Sequence, residues 1–150
     1  MTTLLHGSDL QYGKPYRPAV GEALQVLARE LEPDMVVVAG DLTQRAREEE
    51  FAAVRAYLDR MAGQRVVVTP GNHDVPLYRV WERLLDPYRK WKRYIAPELD
   101  TVIGMDGVVC VALSSAAPRR AVVAGHLSRR QVAWARAAFR EEAGADDYRV

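Results

Sequence analysis

Met35-Val36-Val37-Val38-Ala39-Gly40-Asp41-Leu42-Thr43 is the stretch that sets the fold. Five apolar residues run without alternation and stop at a glycine, an aspartate and a polar loop. Such a run reads as a strand over 35–39 covered on both faces, the habit of a parallel sheet between layers. The flanks repeat the unit. Upstream, Thr2 to Ser8 reads as a strand and Pro18 to Glu32 as a helix. Val20, Ala23, Leu24, Leu27 and Leu31 share one helical face. Pro18 suits a first helical turn, and Pro33 stops the helix before it. Downstream, Glu48 to Met61 reads as a helix with Phe51, Val54, Leu58 and Met61 inward. Its first glutamates stand where the helix dipole favours negative charge, and Gly63 ends it. Arg65 to Thr69 is the third strand, and Pro70 to Asp74 is a loop. Strand and helix alternate, so the fold class is α/β, a βαβαβ order with mostly parallel strands.

The second half is more mixed. Leu77 to Ile95 is helical, aromatic and basic, and Pro87 splits it. Thr101 to Met105 and Gly107 to Leu113 are two strands joined by a tight turn at Asp106-Gly107. Ser114 to Leu127 is a loop. Ser128-Arg129-Arg130-Gln131 has capping-box spacing and opens a helix with Gln131, Trp134, Ala135, Ala138 and Phe139 inward. Gly144 lies past its end, and Tyr148 to Val150 opens another strand.

Composition narrows the function classes. The 150 residues carry 21 Lys and Arg against 20 Asp and Glu, and 49% are apolar. That excludes a disordered tail and any nucleic-acid binding driven by bulk charge. One domain over 1–150 is expected. No apolar run reaches the ~20 residues of a membrane helix, so no membrane partner is expected. Met1 to Asp9 lacks a secretory signal. The single Cys110 forms no intrachain disulfide and reads as a small buried apolar residue. A cytoplasmic protein fits these features.

Three loops carry the chemistry: Ser8-Asp9-Leu10-Gln11, Gly40-Asp41-Leu42-Thr43 and Gly71-Asn72-His73-Asp74. Each follows an apolar strand. Asp9, Asp41 and Asn72 stand 32 and then 31 residues apart, and each interval holds one helix and one strand. Right-handed crossovers bring all three loops to the carboxyl edge of the sheet, where open α/β sheets bind ligands. Carboxylate, carboxamide and imidazole donors suit Mn²⁺, Fe, Zn²⁺ or Mg²⁺. Two cations ~3.5–4 Å apart can activate a water and clamp a phosphoryl oxygen.

In this order and spacing, Asp9 to Asp74 resembles the calcineurin-like metallophosphoesterase superfamily, whose early motifs are DxH, GD and GNH[DE]. Within it the likeness is to the bacterial cyclic-nucleotide-phosphodiesterase-like branch. Gly125, Leu127-Ser128, Gln131 and Trp134 are similar to the segment such proteins carry before a buried helix. The resemblance implies a β-sandwich flanked by helices, with this chain as its N-terminal half, truncated at the C-terminus. It implies two divalent metal ions, Mn, Fe or Zn. Asp9 would be a ligand of the first metal, Asp41 would bridge, and Asn72 would hold the second. His73 would contact the substrate phosphate and protonate the leaving oxygen. Gln11 replaces the DxH histidine, and it stands as a weaker metal ligand. The family's later histidines, one after the strand near Tyr148 and a GHxH pair, have no counterpart here.

The implied activity is metal-dependent hydrolysis of a phosphoester, a phosphodiester foremost. The substrate would be a small phosphoester or a nucleotide; nucleic-acid ends and phospholipid headgroups fit the same chemistry. Self-association is expected, because a half-sandwich leaves an edge strand and a sheet face bare. The alternative is a catalytically silent metal-binding or interaction module that keeps the family fold, which Gln11 favours. A flavodoxin-like nucleotide-binding module lacks support, since Gly13 has no glycine-rich partner set. Other marked residues have plainer readings. His6 is structural. His126 is set aside because Ser128 reads as a helix cap. Trp81, Tyr88, Trp91 and Tyr94 read as packing aromatics beside a solvated basic face, with nucleotide stacking as the alternative. Arg119-Arg120 and Arg129-Arg130 read as solvated.

Overall fold

The computed structural model describes residues 2–15, 17–105, 107–120, 123–144 and 147–150. β2 (Met35–Ala39) is the centre of a parallel sheet, with β1 (Leu4–Gly7) on one side and β3 (Val66–Thr69) on the other. Val37 stands opposite His6 on β1 and Val67 on β3. Two helices make the crossovers, α1 (Pro18–Leu31) and α2 (Glu48–Asp59). The uninterrupted apolar run of β2 is explained by its two faces. Val36 and Val38 pack with Phe51, Val54 and Leu58 of α2, whereas Met35 joins Val67, Cys110 and Ala112 in a second cluster.

That second cluster joins the parallel sheet to another one. β4 (Thr101–Met105) runs antiparallel to β5 (Val108–Ala112), and β6 (Tyr148–Arg149) runs parallel to β5. The tight turn expected between β4 and β5 includes Asp106, which lies outside the described residues. Between the sheets in sequence come α3 (Val80–Leu85) and α4 (Arg89–Tyr94), separated at Pro87, where proline cannot continue a helix. α4 sends Trp91, fully buried, into the first core, and Tyr94 stacks on Phe51 with ring centroids 6.5 Å apart. α5 (Arg129–Glu141) covers the β5 side.

α5 begins at a reciprocal cap. Ser128 Oγ accepts from the Gln131 N–H at 3.2 Å, and Gln131 Oε1 accepts from the Ser128 N–H at 2.9 Å. Ser128→Ala is expected to lower the unfolding free energy by about 1 kcal/mol. Urea denaturation measures it, and an unchanged midpoint would show that the cap carries no weight.

Two side-chain expectations need correction, those for α5 and Trp81, and α1 turns small residues inward. In α1 the buried residues are Gly21, Gln25 and Ala28, while Val20, Leu27 and Leu31 are exposed. The small Gly21 and Ala28 let α1 lie close, and α2 fixes the rotation: Tyr57 Oη donates to the Gly21 carbonyl at 2.9 Å and Gln25 Nε2 to that of Tyr57 at 3.1 Å. In α5 only Ala138 is buried, and Trp134 lies partly outside. Trp81 is not a packing aromatic, since it is 77% exposed.

Candidate metal centre

β1, β2 and β3 each end in a loop at the same edge of the sheet, and the loops are laced together by backbone. The Asp9 N–H donates to the Gly40 carbonyl at 3.2 Å, Gln11 to Asp41 at 2.9 Å, and Gly40 to Thr69 at 3.1 Å. Following one another this tightly forces unusual backbone. Asp9, Gln11 and Asp41 all adopt the left-handed region, with φ of 58°, 46° and 52°, beside Gly40 at 74°. Asp and Gly tolerate that region better than most residues, and glutamine does not.

The result is a cleft of about 350 Å³ whose walls include Asp9, Asp41 and Asn72, with Gly71, Ser115 and Gly125 around them. The three residues thus come together from three strands. Asp41 Oδ1 accepts the His73 N–H at 2.9 Å, which orients the carboxylate. Asp9 Oδ2 accepts from Ser8 Oγ at 2.5 Å. Gln11 and His73 are not among the cleft walls. The Gln11 Nε2 donates to Asp9 Oδ1 at 3.4 Å, so its amide nitrogen faces that carboxylate. The His73 ring lies against the loop after β2, with Nδ1 2.8 Å from the Gln44 carbonyl. The same Nδ1 lies 3.3 Å from Gln44 Nε2, so both Gln44 contacts fall on Nδ1 and Nε2 is left for other use.

Two carboxylates and a carboxamide converging on one cleft fit a hard or borderline divalent cation. They make an open set. Among the described residues no three His, Cys, Asp or Glu side chains gather as a metal-holding group. The remaining coordination positions fall to water, to substrate oxygens or to other donors.

Asp74 is the residue that sequence reasoning passed over, quoting it only within its motif. It is 1% exposed. Its Oδ1 accepts from the Thr43 N–H at 2.8 Å and Thr43 Oγ1 at 3.0 Å. Its Oδ2 accepts from the Leu42 N–H at 3.1 Å and the Gly71 N–H at 2.9 Å. One carboxylate thereby clamps the Asp41 loop to the Asn72 loop. Burial pushes its carboxyl up to about 6, against the downward pull of those donors. The signal available in sequence was the acid three residues after Gly71, a spacing at which a side chain can accept a nearby N–H. The contacts across to Leu42 and Thr43 leave no local mark.

A family model described as calcineurin-like phosphoesterase matches residues 2–141. The chain is also similar in fold to the crystal structure of TT1561 of Thermus thermophilus, with a TM-score of 0.55 and 17% identity. The match covers 94% of this chain and 63% of that one, so this chain spans less than two thirds of that protein. No curated protein matches.

Proposed function

Since the chain belongs to the calcineurin-like phosphoesterase family, we propose that it hydrolyses a phosphodiester at a dinuclear metal site held by the three strand-end loops. The observation that carries this reading is the shared cleft of Asp9, Asp41 and Asn72. Two divalent cations, when bound, supply Lewis acidity toward the phosphoryl oxygens and lower the pKa of water. The chain's own part is positioning. Asp9 would hold the first cation, oriented by Ser8 and Gln11. Asp41 would bridge, because the His73 N–H takes one of its oxygens and aims the other. Asn72 would supply an amide oxygen to the second. Gln11 serves Asp9 as a donor and would be at most a weak ligand. His73 would meet the substrate phosphate through Nε2. His73 would also protonate the leaving oxygen.

The test is hydrolysis of bis(p-nitrophenyl) phosphate with added Mn²⁺. Asp41→Asn is expected to lower the rate at least tenfold, about 1.4 kcal/mol of transition-state stabilisation. Equal rates in the two proteins would sink the reading. A second reading, a silent module that keeps the metal site, rests on the open donor set and on the orientation of Gln11. It predicts no turnover in either protein while Mn²⁺ still raises the melting temperature of the wild type alone, by mass action on the folded state.

A further inference from the structure

The surface around α3 exposes a group of large apolar side chains. Tyr78 is 72% exposed, Val80 47%, Trp81 77%, Leu84 42% and Leu85 77%. Trp81 and Leu85 stand four residues apart on α3, the interval that puts helical side chains on one side, and Tyr78 precedes the helix. At such exposure Trp81 and Leu85 stand clear of the surrounding surface. Contiguous apolar groups of this kind mark a contact surface.

Cations border the patch. The Arg45 guanidinium lies over the Tyr78 ring, 5.4 Å from its centroid. At the other end Arg119 Nε donates to the Leu84 carbonyl at 2.9 Å and Nη2 to the Leu85 carbonyl at 3.4 Å. Arg79 and Arg83, on the segment itself, are engaged within the protein, Arg79 with Glu82 and the Ala46 carbonyl and Arg83 with the Leu77 carbonyl. Its own acid, Glu82, is engaged by Arg79 and Lys90. From Leu77 to Arg93 six Lys and Arg stand against two acids, a local +4 in a chain of net +1.

We propose that this face docks the protein onto an anionic lipid surface. Trp81 and Leu85 would enter the headgroup boundary, and Arg45 and Arg119 at the two ends of the patch would meet lipid phosphates. Tryptophan, tyrosine and leucine beside arginine are the residues that such a boundary accommodates together. A second copy is a poor occupant, because a two-fold contact would set the same excess of positive charge against itself. Among the described residues no helix is long and apolar enough to cross a membrane, and shallow insertion needs none. A path of contacts leads from the patch to His73, which stands beside the cleft and outside its walls. Tyr78 touches Arg45, the neighbour of Gln44, whose carbonyl meets His73. On the phosphodiester reading above, and only on it, the substrate class is then the phosphodiester of a lipid headgroup.

The test uses phosphatidylcholine vesicles with and without phosphatidylglycerol, at low salt and in EDTA, so that docking is judged apart from any metal chemistry. Co-sedimentation with the phosphatidylglycerol vesicles is expected, with tryptophan emission moving to shorter wavelength. Replacing Trp81 and Leu85 together by alanine should weaken binding at least tenfold and remove the emission change. The urea midpoint should stay where it is, because both side chains are exposed. Absence of binding to phosphatidylglycerol vesicles would overturn docking. So would binding that the double variant retains, which is adsorption by charge alone. So would capture of an acidic protein on this face without lipid binding. If vesicles bind but the Mn²⁺-loaded protein cleaves bis(p-nitrophenyl) phosphate and spares the phosphatidylglycerol headgroup, the lipid substrate class is refuted and docking stands.

Discussion

Asp74→Ala is expected to remove about 3–9 kcal/mol of stability, because each buried donor left unpaired costs about 1–3 kcal/mol. The change leaves three backbone N–H groups, those of Leu42, Thr43 and Gly71, without the acceptor they now share. Leu42 and Thr43 are fully buried, so water does not replace it. Because the same carboxylate joins two loops, activity and Mn²⁺ binding should fall with stability. Urea unfolding gives the first number, and a loss below about 1 kcal/mol would show that the clamp is dispensable.

The same residue carries a pH signature in the metal-free protein. Its folded carboxyl titrates at about 6, above the ordinary 3.8. A raised carboxyl means that the folded state binds the proton more tightly than the unfolded chain does. The stability linked to that proton is complete below about pH 4 and is lost as pH rises through 6. Asp74→Asn has no such proton. The gap in stability between wild type and that variant should therefore shrink by about 3 kcal/mol from about pH 4 to about pH 7. A gap that stays constant or widens would show that the donors outweigh burial.

Gly71→Ala is the second large effect. A methyl on Gly71 would stand 2.5 Å from the Asp41 N and overlap the Asp41 carboxylate. The obstacle is partly backbone, which cannot swing aside as a flexible side chain does. Overpacking of this kind costs about 1–3 kcal/mol, and here the displaced group is a proposed metal ligand. The variant should lose about 3 kcal/mol and bind Mn²⁺ at least tenfold more weakly. Gly63→Ala gives the baseline, since a methyl there meets open space. Calorimetric titration with Mn²⁺ on both variants, beside urea unfolding, decides it. Equal behaviour of the two would remove the close approach of Gly71 and Asp41 from the account.

The elements were legible where hydrophobic pattern and punctuation agree. β2 falls on 35–39 as read, Pro87 separates α3 from α4, and Ser128 caps α5. Periodicity says which residues share a helical face, and not which face meets the core. Hence the apolar stripe of α1 does not mark its inner side, although Leu24 packs against the first core. Its inner side is chosen by the smallness of Gly21 and Ala28 and by the hydrogen bond from buried Gln25, which no hydropathy pattern ranks as inward. Trp81 failed for the complementary reason, since its size suggested packing and the short α3 presents it to solvent. At the candidate site, the convergence of Asp9, Asp41 and Asn72 followed from parallel topology alone. What topology could not supply was the side-chain lacing: His73 holding Asp41 through its N–H, Gln11 turned toward Asp9, and Asp74 binding two loops.

The left-handed backbone at Asp9, Gln11 and Asp41 bears on any effort to engineer this protein. Each such non-glycine residue costs roughly 1 kcal/mol or more, which glycine would relieve. A selection for thermal tolerance alone would therefore reward glycine at these three positions. Those substitutions remove both carboxylates from the cleft and the amide that steadies one of them. Directed evolution without an activity screen would erase the proposed metal centre early and leave a hardier scaffold without it.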